Sequence, residues 1–96
     1  MFSKREEHFA DVLHSLVREE GLETPILQRR LIALWPRVVG ELVASHTDNL
    51  YIRNQTLFVH VAMPALRAEL SMMRSEFVEK LNTGVGAVII SDIRFC

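Results

Sequence analysis

Guanidinium groups recur in this chain where a phosphate-binding surface would need them. Arg30 and Arg37 stand seven residues apart in a stretch of helical period, Arg29 lies beside them, and Arg53 closes a later strand-like stretch. Each offers a planar fork of donors that matches two phosphate oxygens at once, although the same arginines would serve equally as a solvated helix surface. Tyr51, Phe58 and His60 suit a different contact. They fall on the outward parity of two alternating stretches, and rings exposed on a sheet can stack single-stranded bases or lie under a partner protein. Covalent chemistry is poorly served by comparison. Serine, histidine and aspartate occur without a nucleophile elbow, and Glu76 and Glu79 share a helix surface with no cleft partner that would split their roles into acid and base. Gly84-Val85-Gly86 lacks the third glycine, the lysine and the following helix of a phosphate loop. His8 and His14 are six residues apart, which does not fit the i, i+4 spacing of a helical metal pair. The single cysteine, Cys96, cannot form an internal bridge. No catalytic residue, metal or cofactor is expected.

Composition narrows the partners. The formal charge is −1, from 11 basic and 12 acidic residues, so nothing draws nucleic acid to the chain as a whole and any such binding must come from local patches. Hydrophobic residues make up 49% of the 96 and charged residues 24%, proportions that predict one globular domain over residues 1–96. No apolar run approaches the roughly 20 residues of a membrane span. The opening MFSKREEHF turns charged at once, without the apolar core of a signal peptide, and predicts cytoplasmic residence.

The elements that must position these residues centre on Leu31 to Thr47. Leu27, Leu31, Leu34, Trp35, Val38, Val39 and Leu42 recur at spacings of three and four, one stripe of a helix expected to run from about Pro25 to Ser45. Thr24 before Pro25 is a natural start. Pro36 predicts a kink, and Gly40 predicts close approach by another backbone. His46 is placed where its ring could bond the last helical carbonyls. Ahead of this helix, Phe9, Val12, Leu13, Leu16 and Val17 predict another that begins near Ser3 and ends at Gly21.

After His46 the period changes to two. Leu50 and Ile52, then Leu57, Val59 and Val61, alternate with polar or outward residues and predict two antiparallel strands joined at Asn54-Gln55. Pro64 opens a third helix with Leu66, Leu70, Met73, Phe77 and Leu81 on one face, and Glu76 and Lys80 spaced to pair across one turn. Residues 82–86 read as a loop and 87–95 as a final strand, with Ile89, Ser91, Ile93 and Phe95 facing inward because the other parity would bury Asp92 and Arg94. The order is α-α-β-β-α-β, an α+β domain of two layers with a three-stranded sheet packed on helices.

One pattern is distinctive in combination. The run W-x-x-V-V-G-x-x-x-A-x-H-T spans Trp35 to Thr47 and includes Pro36, Gly40 and His46. It is followed by Leu57, Val59 and Val61, by Glu69-Leu70, by Leu81-Asn82 eleven residues on, and by Ile93-Arg94-Phe95. Over about residues 8 to 95 this resembles the DciA-like family of small bacterial domains. The resemblance implies a KH-like fold, an association with bacterial replication, and assistance to the replicative helicase as it loads onto DNA. The expected function is therefore a non-enzymatic module that binds single- or double-stranded DNA, with Arg29, Arg30, Arg37 and Arg53 as phosphate contacts. The alternative is a protein-interaction module, for instance a homodimer, that docks through Tyr51, Phe58 and His60 without nucleic acid.

Overall fold

The computed structural model describes residues 24–96; the helix expected between Ser3 and Gly21 lies outside them. The described elements are α1 (Thr24–Val39), α2 (Glu41–Ser45), β1 (Thr47–Arg53), β2 (Thr56–Val61), α3 (Pro64–Met72), α4 (Arg74–Val85) and β3 (Asp92–Phe95). Helices and a three-stranded sheet form the α+β domain expected from the order of periods, with each long helical pattern divided in two.

The helix carrying Trp35 passes through Pro36 and breaks four residues later, at Gly40. Gly40 has φ +90, a backbone conformation that an L side chain rarely adopts, and no atom beyond its own chain neighbours lies within 4 Å of where a Cβ would sit. The glycine is therefore required by its conformation, and the close approach expected of it is found elsewhere. At Gly84 in α4 an added Cβ would lie 2.8 Å from Leu34 Cδ1 in α1, so the missing side chain lets these two helices meet. The break at Gly40 also re-aims the chain. Leu27, Leu31 and Trp35 are buried as their stripe requires, whereas Leu42, beyond the break, is 77% exposed.

Trp35 joins the layers. It is 2% exposed, its ring meets Phe77 edge-on at 5.8 Å between centroids and Phe95 at 6.1 Å, and its indole N–H donates to Thr47 Oγ1 at 2.9 Å. The Thr47 hydroxyl in turn donates to the Ala44 carbonyl at 3.0 Å. One side chain thus packs α1 against α4 and β3, and one short chain of hydrogen bonds fixes where α2 ends and β1 begins. His46 assists through its backbone, whose amide donates to the Val43 carbonyl. Its side chain is exposed, and the backbone supplies the cap expected of the ring.

The hairpin follows its sequence closely. Asn54 and Gln55 both take positive φ, 51 and 62, the pairing that a two-residue turn needs to match the twist of its strands. Leu57, Val59 and Val61 are all fully buried, while Leu50 and Ile52 are half-buried. β2 is the central strand, antiparallel to β1 and parallel to β3. A parallel neighbour cannot be reached by a tight turn, so α3 and α4 supply the crossover. They are separate helices because Met73 leaves helical geometry, although neither glycine nor proline marks the point. Met73, expected in the buried stripe, is 44% exposed, while Leu70, Phe77 and Leu81 are buried.

Two further expectations change at the end of the chain. Residues 82–85 are the last turn of α4 rather than a loop, and Gly86 closes it in the left-handed conformation. The final strand is also shorter than 87–95. Ile89 and Ile90 are both buried, which no alternating strand allows, and Ser91, expected to face inward, is exposed. The cause is Asn82. Its side-chain Oδ1 accepts the amides of Ile89 at 3.0 Å and Ile90 at 3.1 Å, and its Nδ2 donates to the Ile90 carbonyl at 2.8 Å. The amide side chain does for this segment what a neighbouring strand would otherwise do, so two consecutive isoleucines enter the core with their backbone satisfied. Ile93 and Phe95 then follow the expected inward parity, and Cys96 extends the ladder by donating its amide to Val59 and accepting that of Val61.

Two stability measurements test this assembly. Trp35→Ala is expected to lower the unfolding free energy by about 3–5 kcal/mol in denaturant melts, since neighbours only partly fill so large a cavity. Asn82→Ala is expected to cost about 2 kcal/mol, because two amides and a carbonyl are left without a partner. Hydrogen exchange should then show weakened protection at Ile89 and Ile90 before any change at Leu57 or Val59.

Candidate nucleic-acid interface

The four expected phosphate contacts stand on two surfaces. Helical spacing sets Arg30 and Arg37 on one flank of α1, together with Ile26 and Ala33, while Arg29 projects away from the buried Leu27–Leu31–Trp35 stripe. All five are exposed, and none of the three arginines forms an ion pair among the described residues. Arg53 belongs instead to the sheet.

The sheet's inner face is the core, so its outer face holds the alternate residues of each strand. Pairing brings these into rows. Arg53 of β1 is opposite Thr56 of β2, which neighbours Asp92 of β3; Tyr51 is opposite Phe58, which neighbours Arg94; and Asp48 is opposite His60. Tyr51, Phe58 and His60 therefore share one surface, as their parity predicts, and Arg53 shares it with them. Arg94 completes the group. Choosing Ile93 and Phe95 as inward residues places Arg94 outward, but its position beside Phe58 follows from the parallel register of β2 and β3, which no local pattern encodes.

Side-chain geometry on this face is specific. The Tyr51 and Phe58 rings stack with centroids 4.9 Å apart and planes within 11° of parallel. Tyr51 is 50% exposed, and Phe58 is half-buried. His60 Nδ1 lies 2.7 Å from Asp48 Oδ1 in an exposed pair, which adds little to stability because solvent screens it. Asp92 Oδ1 accepts the Ile93 amide at 2.8 Å and lies 3.9 Å from Arg74 Nε. Lys80 and Glu76 make the expected pair along α4, at 3.4 Å. A separate apolar groove between α2 and α3 is lined by Leu42, Val43, His46, Met63, Leu66 and Glu69.

Among the described residues no group of three or more histidine, cysteine, aspartate or glutamate side chains is placed to hold a metal ion. None of the described helices is long and apolar enough to cross a membrane. What the arrangement offers chemically is cations for phosphate and an aromatic stack for flat apolar groups.

Comparison with known proteins agrees with the motif pattern. The chain is 24% identical over 86 residues to a UPF0232 protein of Rhodococcus jostii, covering 90% of this chain and 46% of that protein. A UPF0232 protein of Mycobacterium leprae is 23% identical over 83 residues, covering 86% of this chain and 44% of its own. A third, from Mycolicibacterium paratuberculosis, is 24% identical over 79 residues, covering 82% and 44%. The chain thus spans less than half the length of these relatives. The family model described as Dna[CI] antecedent, DciA, matches residues 8–95, a span that takes in Trp35, the Gly40 break, the Asn82 clamp and all three strands. The chain belongs to the DciA family.

Proposed function

We propose that this domain is a non-enzymatic module that contacts DNA and works with the bacterial replicative helicase, in the cytoplasm, at the step where the helicase is placed on its strand. Family membership carries the reading, since the DciA family is associated with helicase loading. The distribution of charge supports it. A chain with a formal charge of −1 has no long-range pull on a polyanion, yet Arg29, Arg30 and Arg37 stand exposed along one helix. A short row of guanidinium groups suits brief, salt-sensitive contacts to a phosphate backbone. Such contacts carry no sequence information, which is appropriate to a factor that assists a helicase wherever it is loaded.

Binding of fluorescent single- and double-stranded oligonucleotides across a salt series tests the DNA contact, and co-sedimentation with purified replicative helicase tests the partner. Replacing Arg30 and Arg37 with Gln is expected to leave the circular dichroism spectrum and melting behaviour unchanged. The salt dependence of DNA binding should flatten by about one unit of slope for each phosphate that the variant no longer neutralises. Absence of salt-sensitive binding by the parent chain at about 50 mM salt, where phosphate contacts are strongly favoured, would overturn the DNA-contacting part of the reading.

A further inference from the structure

We propose that the outer face of the sheet takes single-stranded DNA, with an unpaired base stacked on the free face of the Tyr51 ring and adjoining phosphates held by Arg53 and Arg94. This rests on the DNA-contacting role proposed above and gives it a second surface, distinct from the α1 arginines.

The aromatic pair is already arranged as the beginning of a base stack. Its rings are nearly parallel, at 11°, with centroids 4.9 Å apart. β1 is an edge strand among the described residues, so one face of Tyr51 rests on Phe58 while the other has no described strand beyond it. A nucleobase placed there extends the stack by one ring, and because every base has a π face the contact is tolerant of sequence. Duplex DNA cannot use the site in this way, since its bases are stacked and paired within the helix.

Charge on the face fits the same occupant. Arg53 is two residues from Tyr51 on the same strand and therefore on the same side of the sheet. Arg94 adjoins Phe58 from the opposite strand. Arg94 lies beyond Phe58 in the row of the two rings and Arg53 one row further along β1 from Tyr51, and neither forms an ion pair among the described residues. Both carboxylates of this face have partners, Asp48 with His60 and Asp92 with the Ile93 amide and Arg74. Addition of a strand from a second copy is disfavoured at the β1 edge. The register slips between Asp48 and Tyr51, and Asn49 takes φ 50, the kind of irregularity that blocks edge pairing.

The test uses the full chain with oligothymidylate and with a duplex of equal length. Tyr51 is the only tyrosine, so its ring protons can be followed by NMR without ambiguity, and they are expected to move upfield as single-stranded DNA is added. Tyr51→Phe should bind as the parent does. Tyr51→Leu should weaken oligothymidylate binding about tenfold, on the order of one base–aromatic stack, with duplex binding unchanged; Arg94→Gln should lower the salt slope for the single strand. If Tyr51→Leu does not fold, the ring shifts of the parent decide alone. Unmoved Tyr51 resonances at saturating oligothymidylate would overturn the proposal. So would a dimer in sedimentation that Tyr51→Leu disperses, since a second copy would then cover the face. Single- and double-stranded binding that depends on Arg30 and Arg37 but not on Tyr51 would remove this site and leave the DNA-contacting role standing, whereas a parent chain that binds neither would remove both.

Discussion

Three hydrogen bonds to one side-chain amide hold the end of this domain in place. Asn82 sits in the final turn of α4 and accepts the amides of Ile89 and Ile90 while donating to the Ile90 carbonyl. Only an amide side chain presents acceptor and donor side by side in this way. Without it, the chain leaving Gly86 would have to bury two isoleucines on bare backbone, at the full desolvation penalty of each unmatched group. With it, the segment turns tightly, and Ser91 donates its amide to Gln55 in the hairpin turn at 2.7 Å. β3 then enters beside β2 in parallel register. The sheet's outer surface inherits that register, because Arg94 reaches Phe58 only if β3 arrives in this alignment.

Trp35 plays the corresponding part on the helical side. Its indole N–H and the Thr47 hydroxyl fix the junction between α2 and β1, while its ring contacts bring Phe77 of α4 and Phe95 of β3 to the same place. The two devices are complementary. One uses apolar area and a single satisfied polar atom to gather elements distant in sequence, and the other uses polar bonds to let a short irregular segment approach the core. Among the described residues no buried side-chain polar atom is left without a partner.

The parts that could be read in advance are those whose cause is local. Leu57, Val59 and Val61 alternate because a strand exposes every second side chain to the core, and the chain turns at Asn54-Gln55 because asparagine tolerates positive φ. Leu27, Leu31 and Trp35 declare their helix by spacing alone. What could not be read depends on residues far apart in sequence. Ile89 and Ile90 resemble a strand until the Asn82 amide is seen to hold them, and the close approach suggested by Gly40 belongs to Gly84, whose neighbour is Leu34. Of the candidate site, the shared face of Tyr51, Phe58 and His60 follows from parity. Arg53 joins that face by the same parity, whereas the company of Arg94 follows from the parallel register of β2 and β3, which no window of sequence contains.

The parallel pairing of β2 with β3 also sets an order on folding. β1 and β2 can close their hairpin locally, but the other edge of β2 finds no strand until the crossover helices and the segment beyond Gly86 have folded back. Through that interval the most apolar strand of the domain has an open hydrogen-bonding edge. A chain truncated anywhere between Ala62 and Ser91 would keep that edge open to its neighbours, so the native fold protects β2 only once β3 has been added.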